Sequence, residues 1–161
     1  MFKKLIVVFS ILLPTSTYSG GSVNYEYIEL LMKHIELSTG MSAPRKGEIH
    51  YPRVIFTDDV TVHQLVCKRK KSCSAWAATK SNMVFLTSKV KLDEPEGDSI
   101  LYHELVHVMQ NAMYGPATSC DEWAHREVQA YQLQHRYATA KGHDMDWIIE
   151  WIQTIRNRCK Y

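Results

Sequence analysis

Apolar residues recur along this chain at intervals that select a backbone conformation. Ile28, Leu31 and Ile35 form one stripe within residues 23–37, which predicts a helix ending near Gly40. A loop over residues 41–47 contains Pro44, and Arg53–Thr57, "RVIFT", follows as a short β-rich run. Asp58 is placed to cap a helix of about two turns reaching Cys67. "SAWAAT" and "MVFLT", separated by Lys80, Ser81 and Asn82, read as a hairpin with a short turn. Residues 90–97 read as an acidic, proline-containing loop.

Three helices complete the pattern. The first runs from about Asp98 to Met113, with Leu101, Leu105, Val108 and Ala112 on one apolar face, and Tyr114-Gly115-Pro116 stops it. The second opens on Ser119-x-x-Glu122, a capping box, and runs to about Lys141, with Gly142 as a natural residue past its end. The third runs from about Asp144 to Cys159, with Trp147, Ile148, Trp151, Ile152 and Ile155 on one face. The expected class is α+β: a small N-terminal sheet with a hairpin, then a central helix followed by two C-terminal helices.

Composition changes this picture mainly at the N-terminus. Lys3 and Lys4 precede an apolar run, Leu5–Leu13, that is too short to span a bilayer, and Pro14 and the small residues Thr17 and Ser19 follow. Residues 1–19 are therefore expected to be a signal peptide, with residues 20–161 forming one domain; the alternatives are a slightly shifted cleavage register or an uncleaved anchor. Cleavage implies an exported protein, periplasmic or secreted, with no stable membrane anchor, and the absence of a cysteine near the cleavage region argues against a lipid anchor. Loss of Lys3 and Lys4 from the 19 basic residues leaves them level with the 17 acidic ones. No cationic excess then remains to suggest a nucleic-acid partner, and Lys68–Lys71 is a short run of the kind usually found on a solvated loop.

The four cysteines, Cys67, Cys73, Cys120 and Cys159, suit two disulfides in an exported chain, with three possible connectivities. Cys67 and Cys73 bracket the basic run and invite a local bridge. Antiparallel packing of the last two helices brings Cys120 near Cys159. A zinc–thiolate site is the competing reading, but the spacing between Cys67 and Cys73 is not that of a C-x2-C knuckle.

The chemistry concentrates in "YHELVHVMQ", where His103, Glu104 and His107 form H-E-x-x-H. On a helix, residues i and i+4 share a face, so His103 and His107 can offer two imidazole nitrogens to one ion. Glu104 lies about 100° around the helix from His103, where it can reach a water beside that ion. Two histidines at this spacing are otherwise more often a surface coincidence; here both lie off the apolar stripe. A third ligand is available in Glu127, 20 residues after His107 on the next helix. Ala124 and Ala130 flank it and are small enough to let the backbones approach. The rival readings are a surface pair between Glu127 and an arginine, His125 as the ligand, and Glu122, which the capping box explains better. Such a donor set points to one zinc ion per chain.

These residues resemble the gluzincin metallopeptidases, the group that includes the thermolysin family, through His103-Glu104-x-x-His107 and Glu127-x-x-Ala130. "HELVHVMQ" followed by "EVQAYQLQ" is also similar to small zincin-like peptidases. The resemblance covers residues 98–141. It implies a zincin-like fold and a zinc-dependent peptidase acting on peptide or protein substrates, with Glu104 as general base toward a metal-activated water. Many gluzincins carry an aspartate four residues after the ligand glutamate; here that position is Tyr131, whose phenol can accept a histidine N–H without a carboxylate's charge. Gln110 is a further candidate to support a ligand histidine. The donor for a developing oxyanion is left among Tyr131, His125, His135 and Tyr114. The resemblance also implies a substrate-binding edge strand, expected at Met83, Val84, Phe85, Leu86 and Thr87, although these residues can equally be core. The competing classes are a non-catalytic zinc-binding interaction module of the same fold and a helical interaction domain without metal.

Overall fold

A computed structural model describes residues 23–67 and 75–159, with elements in the order α1 (Tyr25–Thr39), β1 (Arg53–Thr57), α2 (Asp59–Cys67), β2 (Ala77–Lys80), β3 (Met83–Thr87), α3 (Pro95–Tyr114), α4 (Cys120–Ala140) and α5 (Trp147–Asn157). The class is α+β, with five helices and one three-stranded sheet among the described residues. The expected signal peptide, the basic run and Cys73 lie outside the described residues.

Local chemistry accounts for most element ends. Asn24 caps α1 by accepting from the Glu26 N–H at 2.9 Å, and Gly40 ends that helix at φ 74°, a left-handed conformation that glycine adopts without a Cβ penalty. Asp58 caps α2 as expected, its Oδ1 accepting from the Thr61 N–H at 2.8 Å. Ser119 Oγ accepts from the Glu122 N–H at 3.1 Å, but the Glu122 carboxylate turns to the Thr118 N–H at 2.8 Å, one residue earlier than a reciprocal capping box requires.

The sheet corrects one expectation. Its order is β1-β3-β2, with β1 parallel and β2 antiparallel to β3. Met83–Thr87 is therefore the central strand, paired on both sides, and not an edge. The physical reason lies in its own sequence: Val84 and Leu86 are fully buried on one face while Phe85 is half-buried on the other, and a strand apolar on both faces belongs inside a sheet. The edge strand of the hairpin is β2, short and ending in Lys80. Lys80 pairs with Met83, so the turn contracts to Ser81 and Asn82.

α3 begins earlier than expected, at Pro95, because proline suits the first helical position, where its missing N–H has no helical partner. The preceding loop is correspondingly shorter. Gly97 lets this first turn press on the Lys91 backbone: a Cβ there would lie 2.1 Å from the Lys91 carbonyl oxygen. α3 is also buried on more than one stripe. Tyr102 and Val106 are as deeply buried as Leu101 and Leu105, since α3 packs against the sheet, α1 and α4 together. Asp98 pins its start, accepting from Tyr27 of α1 and, on α4, from Tyr137 at 2.7 Å and from the Lys141 ammonium that follows the helix.

α4 and α5 form a second core around Ala124, Val128, Ala138, Ile148, Ile152 and Ile155. The buried face of α5 is narrower than expected, because Trp147 stays half-exposed at the helix start. The Cys120–Cys159 disulfide is formed, with Cα atoms 5.6 Å apart. Cys67 is also disulfide-bonded. These three cysteines are therefore not available as thiolate ligands.

Candidate metal centre

One turn of α3 separates His103 from His107, and their Nε2 atoms lie 3.0 Å apart. Glu127, from the facing side of α4, brings Oε1 to 3.4 Å from His107 Nε2 and Oε2 to 3.7 Å from His103 Nε2. A tetrahedral zinc ion with bonds of about 2.0–2.1 Å needs ligand atoms about 3.3 Å apart. The two histidine nitrogens lie just under that separation, and each has a different Glu127 oxygen just over it; taking one ligand atom from each residue, all three lie within 4.8 Å of one another. Among the described residues this is the only group of three histidine, cysteine or carboxylate side chains that converges in this way.

The electrostatics of the group favour a proton shared between His107 and Glu127. Gln110 Oε1 lies 2.8 Å from His107 Nδ1. A carbonyl oxygen can only accept, so Nδ1 carries a proton and Nε2 is the nitrogen turned toward Glu127 and His103. Gln110 is held in turn: its Nε2 donates to the Arg126 carbonyl at 3.1 Å and to Gln129 Oε1 at 2.8 Å. Burial alone would lower the His107 pKa, but the Glu127 charge, helped by Glu104 and Gln110, carries it up to about 9. Burial likewise works against ionised Glu127, yet His107 and His103 hold its carboxyl well below the usual carboxylate range. Without metal, a shared proton fills the role that a metal ion takes in such a donor set.

Glu104 completes the H-E-x-x-H turn. It is buried, and its Oε2 accepts from Thr79 Oγ1 of β2 at 2.6 Å. Its charge is close enough to favour protonated His107.

A family model described as a domain of unknown function, DUF6647, matches residues 22–161. The chain belongs to this family. No curated protein and no solved structure matches it.

The DUF6647 match spans every described element, and so includes the whole ligand cluster. Around that cluster the other candidates separate. Tyr131 sits over His103, ring centroids 4.3 Å apart and tilted by 58°. Burial, and the nearby charges of Glu127 and Glu104, push its phenol above the ordinary tyrosine range, so it stays protonated. It does not accept from His103: the Nδ1 of that ring is buried without a hydrogen-bond partner. His125 is exposed and outside the ligand group, which removes it as a rival ligand. His135 turns to Asp146, 3.5 Å away, and Tyr114 is exposed beneath the Arg126 guanidinium. The surface pair considered for Glu127 belongs instead to Glu122, which binds Arg126. Ala130 is fully buried in the main core beside α3, whereas Ala124 packs in the α4–α5 core.

The sequence assigned no site role to Thr79, Gln129 or Trp147, although Trp147 was expected on the apolar face of the last helix. Trp147 meets Tyr131 edge-on at 6.4 Å. For Thr79 a signal existed. Alternation along "AATK" puts Ala77 and Thr79 on one face, so a hydroxyl there faces the same interior as the apolar Ala77.

Proposed function

We propose that this protein is an exported zinc-dependent metallopeptidase of the gluzincin kind, with a zincin-like arrangement of edge strand, H-E-x-x-H helix and glutamate helix. The carrying observation is the convergence of His103 Nε2, His107 Nε2 and Glu127 beside the buried carboxylate of Glu104. His103, His107 and Glu127 would hold one zinc ion, leaving a fourth position open, the mark of a catalytic rather than a structural site. When bound, zinc supplies a Lewis acid that acidifies a water and polarises a carbonyl.

The chain's own groups supply the rest. Thr79 occupies Glu104 Oε2, which leaves Oε1 to take a proton and deliver it to the leaving amine. Tyr131 is the donor best placed for negative charge developing on the substrate, since it is protonated and packs against His103; its phenol now interacts with Trp151 and would have to turn to the substrate. The outer edge of β2, rather than β3, is the strand an extended peptide can join. Export is supported by the Cys120–Cys159 disulfide. No described helix is long and apolar enough to cross a membrane.

The test is metal stoichiometry of the purified protein, together with digestion of a broad peptide library. One zinc per chain and cleavage that Glu104→Gln abolishes without loss of zinc are expected. Stoichiometric zinc without cleavage favours the non-catalytic binding module, and absence of zinc removes both readings.

A further inference from the structure

The Thr79 hydroxyl lies 2.6 Å from Glu104 Oε2 and 3.1 Å from the Glu104 backbone carbonyl, joining β2 to the helix that carries the ligand histidines. The backbone of the same residue faces elsewhere. Trp76 O accepts from the Thr87 N–H at 2.8 Å, which marks Trp76 and Thr87 as a hydrogen-bonded pair of the β2–β3 ladder. Such pairs alternate along an antiparallel ladder, so Ala77 opposite Leu86, and Thr79 opposite Val84, are non-bonded pairs. The N–H and C=O groups of Ala77 and Thr79 therefore point away from β3, to the outer edge of the sheet. Among the described residues no strand pairs with that edge.

We infer that Thr79 is a positioning residue that couples the two halves of the site. Its backbone presents a docking edge for an extended peptide, while its side chain holds the Glu104 carboxylate in the orientation that catalysis needs. A chain that seats on β2 bears directly on the residue that aims the base. The inference rests on the peptidase reading for its kinetic consequence; the geometric claim, that Thr79 sets the orientation of Glu104, stands apart from it.

The experiment uses the zinc-loaded protein and the best-cleaved peptide from a fluorogenic library. Thr79→Val removes the hydroxyl and keeps both β-branching and the backbone edge. Its kcat is expected to fall by about 10–100-fold, the loss typical of removing a group that orients a metal site, with KM and zinc content little changed. Thr79→Ser restores the hydroxyl and should recover most of the rate. Wild-type kcat in Thr79→Val overturns the inference. Loss of zinc or of folding in both variants does so too, since Thr79 is then only structural. If no peptide is cleaved, or Glu104→Gln cleaves as well as wild type, the peptidase reading fails on its own. Crystal structures of zinc-loaded wild type and Thr79→Val then decide the geometric claim: a Glu104 carboxylate rotated from its wild-type position supports it, and an unmoved one overturns it.

Discussion

Gln110 Oε1 lies 2.8 Å from His107 Nδ1, and this contact sets which nitrogen of His107 faces Glu127 and His103. Gln110→Leu keeps the volume and removes the acceptor. Zinc affinity is expected to fall by about 10–100-fold, as for other groups that orient a ligand histidine. Competition with a chromogenic chelator measures it. The same change leaves the His107 ring donor and the Gln129 carboxamide without the partner they have now, at a further cost of about 1–3 kcal/mol in stability of the metal-free protein.

Zinc uptake by this site should release a proton. The metal-free His107 titrates at about 9, so below that pH an ion must displace its proton, and affinity should rise about tenfold per pH unit toward that value. Calorimetry at pH 7 in two buffers of different ionisation enthalpy reads the proton count, expected to be about one.

The same pair predicts how the chelated protein responds to pH. His107 is raised from 6.5 to about 9, so its contribution to stability is full below pH 6.5 and is lost as pH rises through 9. Glu127 is lowered from 4.5, so its contribution is present above that pH and is lost as pH falls toward its depressed value. The metal-free protein should therefore gain most from this pair between about pH 4.5 and 6.5. Urea unfolding across pH, with and without chelator, checks this, and a Glu127→Gln variant should flatten the profile.

The Cys120–Cys159 disulfide closes a loop with a sequence separation of 39. In the chain-entropy description a loop of that length stabilises the fold by about 4 kcal/mol. Replacing both cysteines by serine should lower the urea midpoint accordingly. A reductant should reproduce part of the loss in the native chain and add nothing further at this bridge in the double variant.

Gly97→Ala tests the close approach at the start of α3. A methyl 2.1 Å from the Lys91 carbonyl oxygen cannot be accommodated without moving backbone. Overpacking of this kind costs about 1–3 kcal/mol, against a helix-propensity gain of about 1 kcal/mol, so a net loss in melting temperature is expected.

The convergence of the candidate ligands was the most legible part of the sequence, because H-E-x-x-H is local and helix periodicity alone decides which way His103 and His107 point. Glu127 needed one further step, the side-by-side packing of two helices joined by a short loop. The central place of β3 was present in the unbroken apolar run Val84-Phe85-Leu86, which signals burial on both faces; the hairpin was readable, but its neighbour β1 is brought in from residues 53–57 across a helix. The wide burial of α3 was signalled by Tyr102 and Val106, apolar residues off the main stripe. The Thr79–Glu104 contact was beyond reach. It depends on how β2 lies against α3, between residues 25 apart in sequence, and no periodicity within either element encodes that distance. The orientation of Tyr131 is similar. Its identity showed that a carboxylate was missing, but only the packing of α4 on α3 turns its ring face toward His103.

All three side chains of the candidate metal group belong to α3 and α4, a helical hairpin, whereas β1 reaches its place beside β3 from across a helix. Local contacts form early in folding and long-range strand pairing forms late. The hypothesis that follows is an order of assembly: in refolding with zinc present, metal uptake should precede hydrogen-exchange protection of the β1–β3 amides, and simultaneous appearance of the two would count against it. On the peptidase reading, the metal group would then be complete before the parallel strand that closes the sheet is in place, and the helical hairpin could be loaded while the sheet is still unfinished.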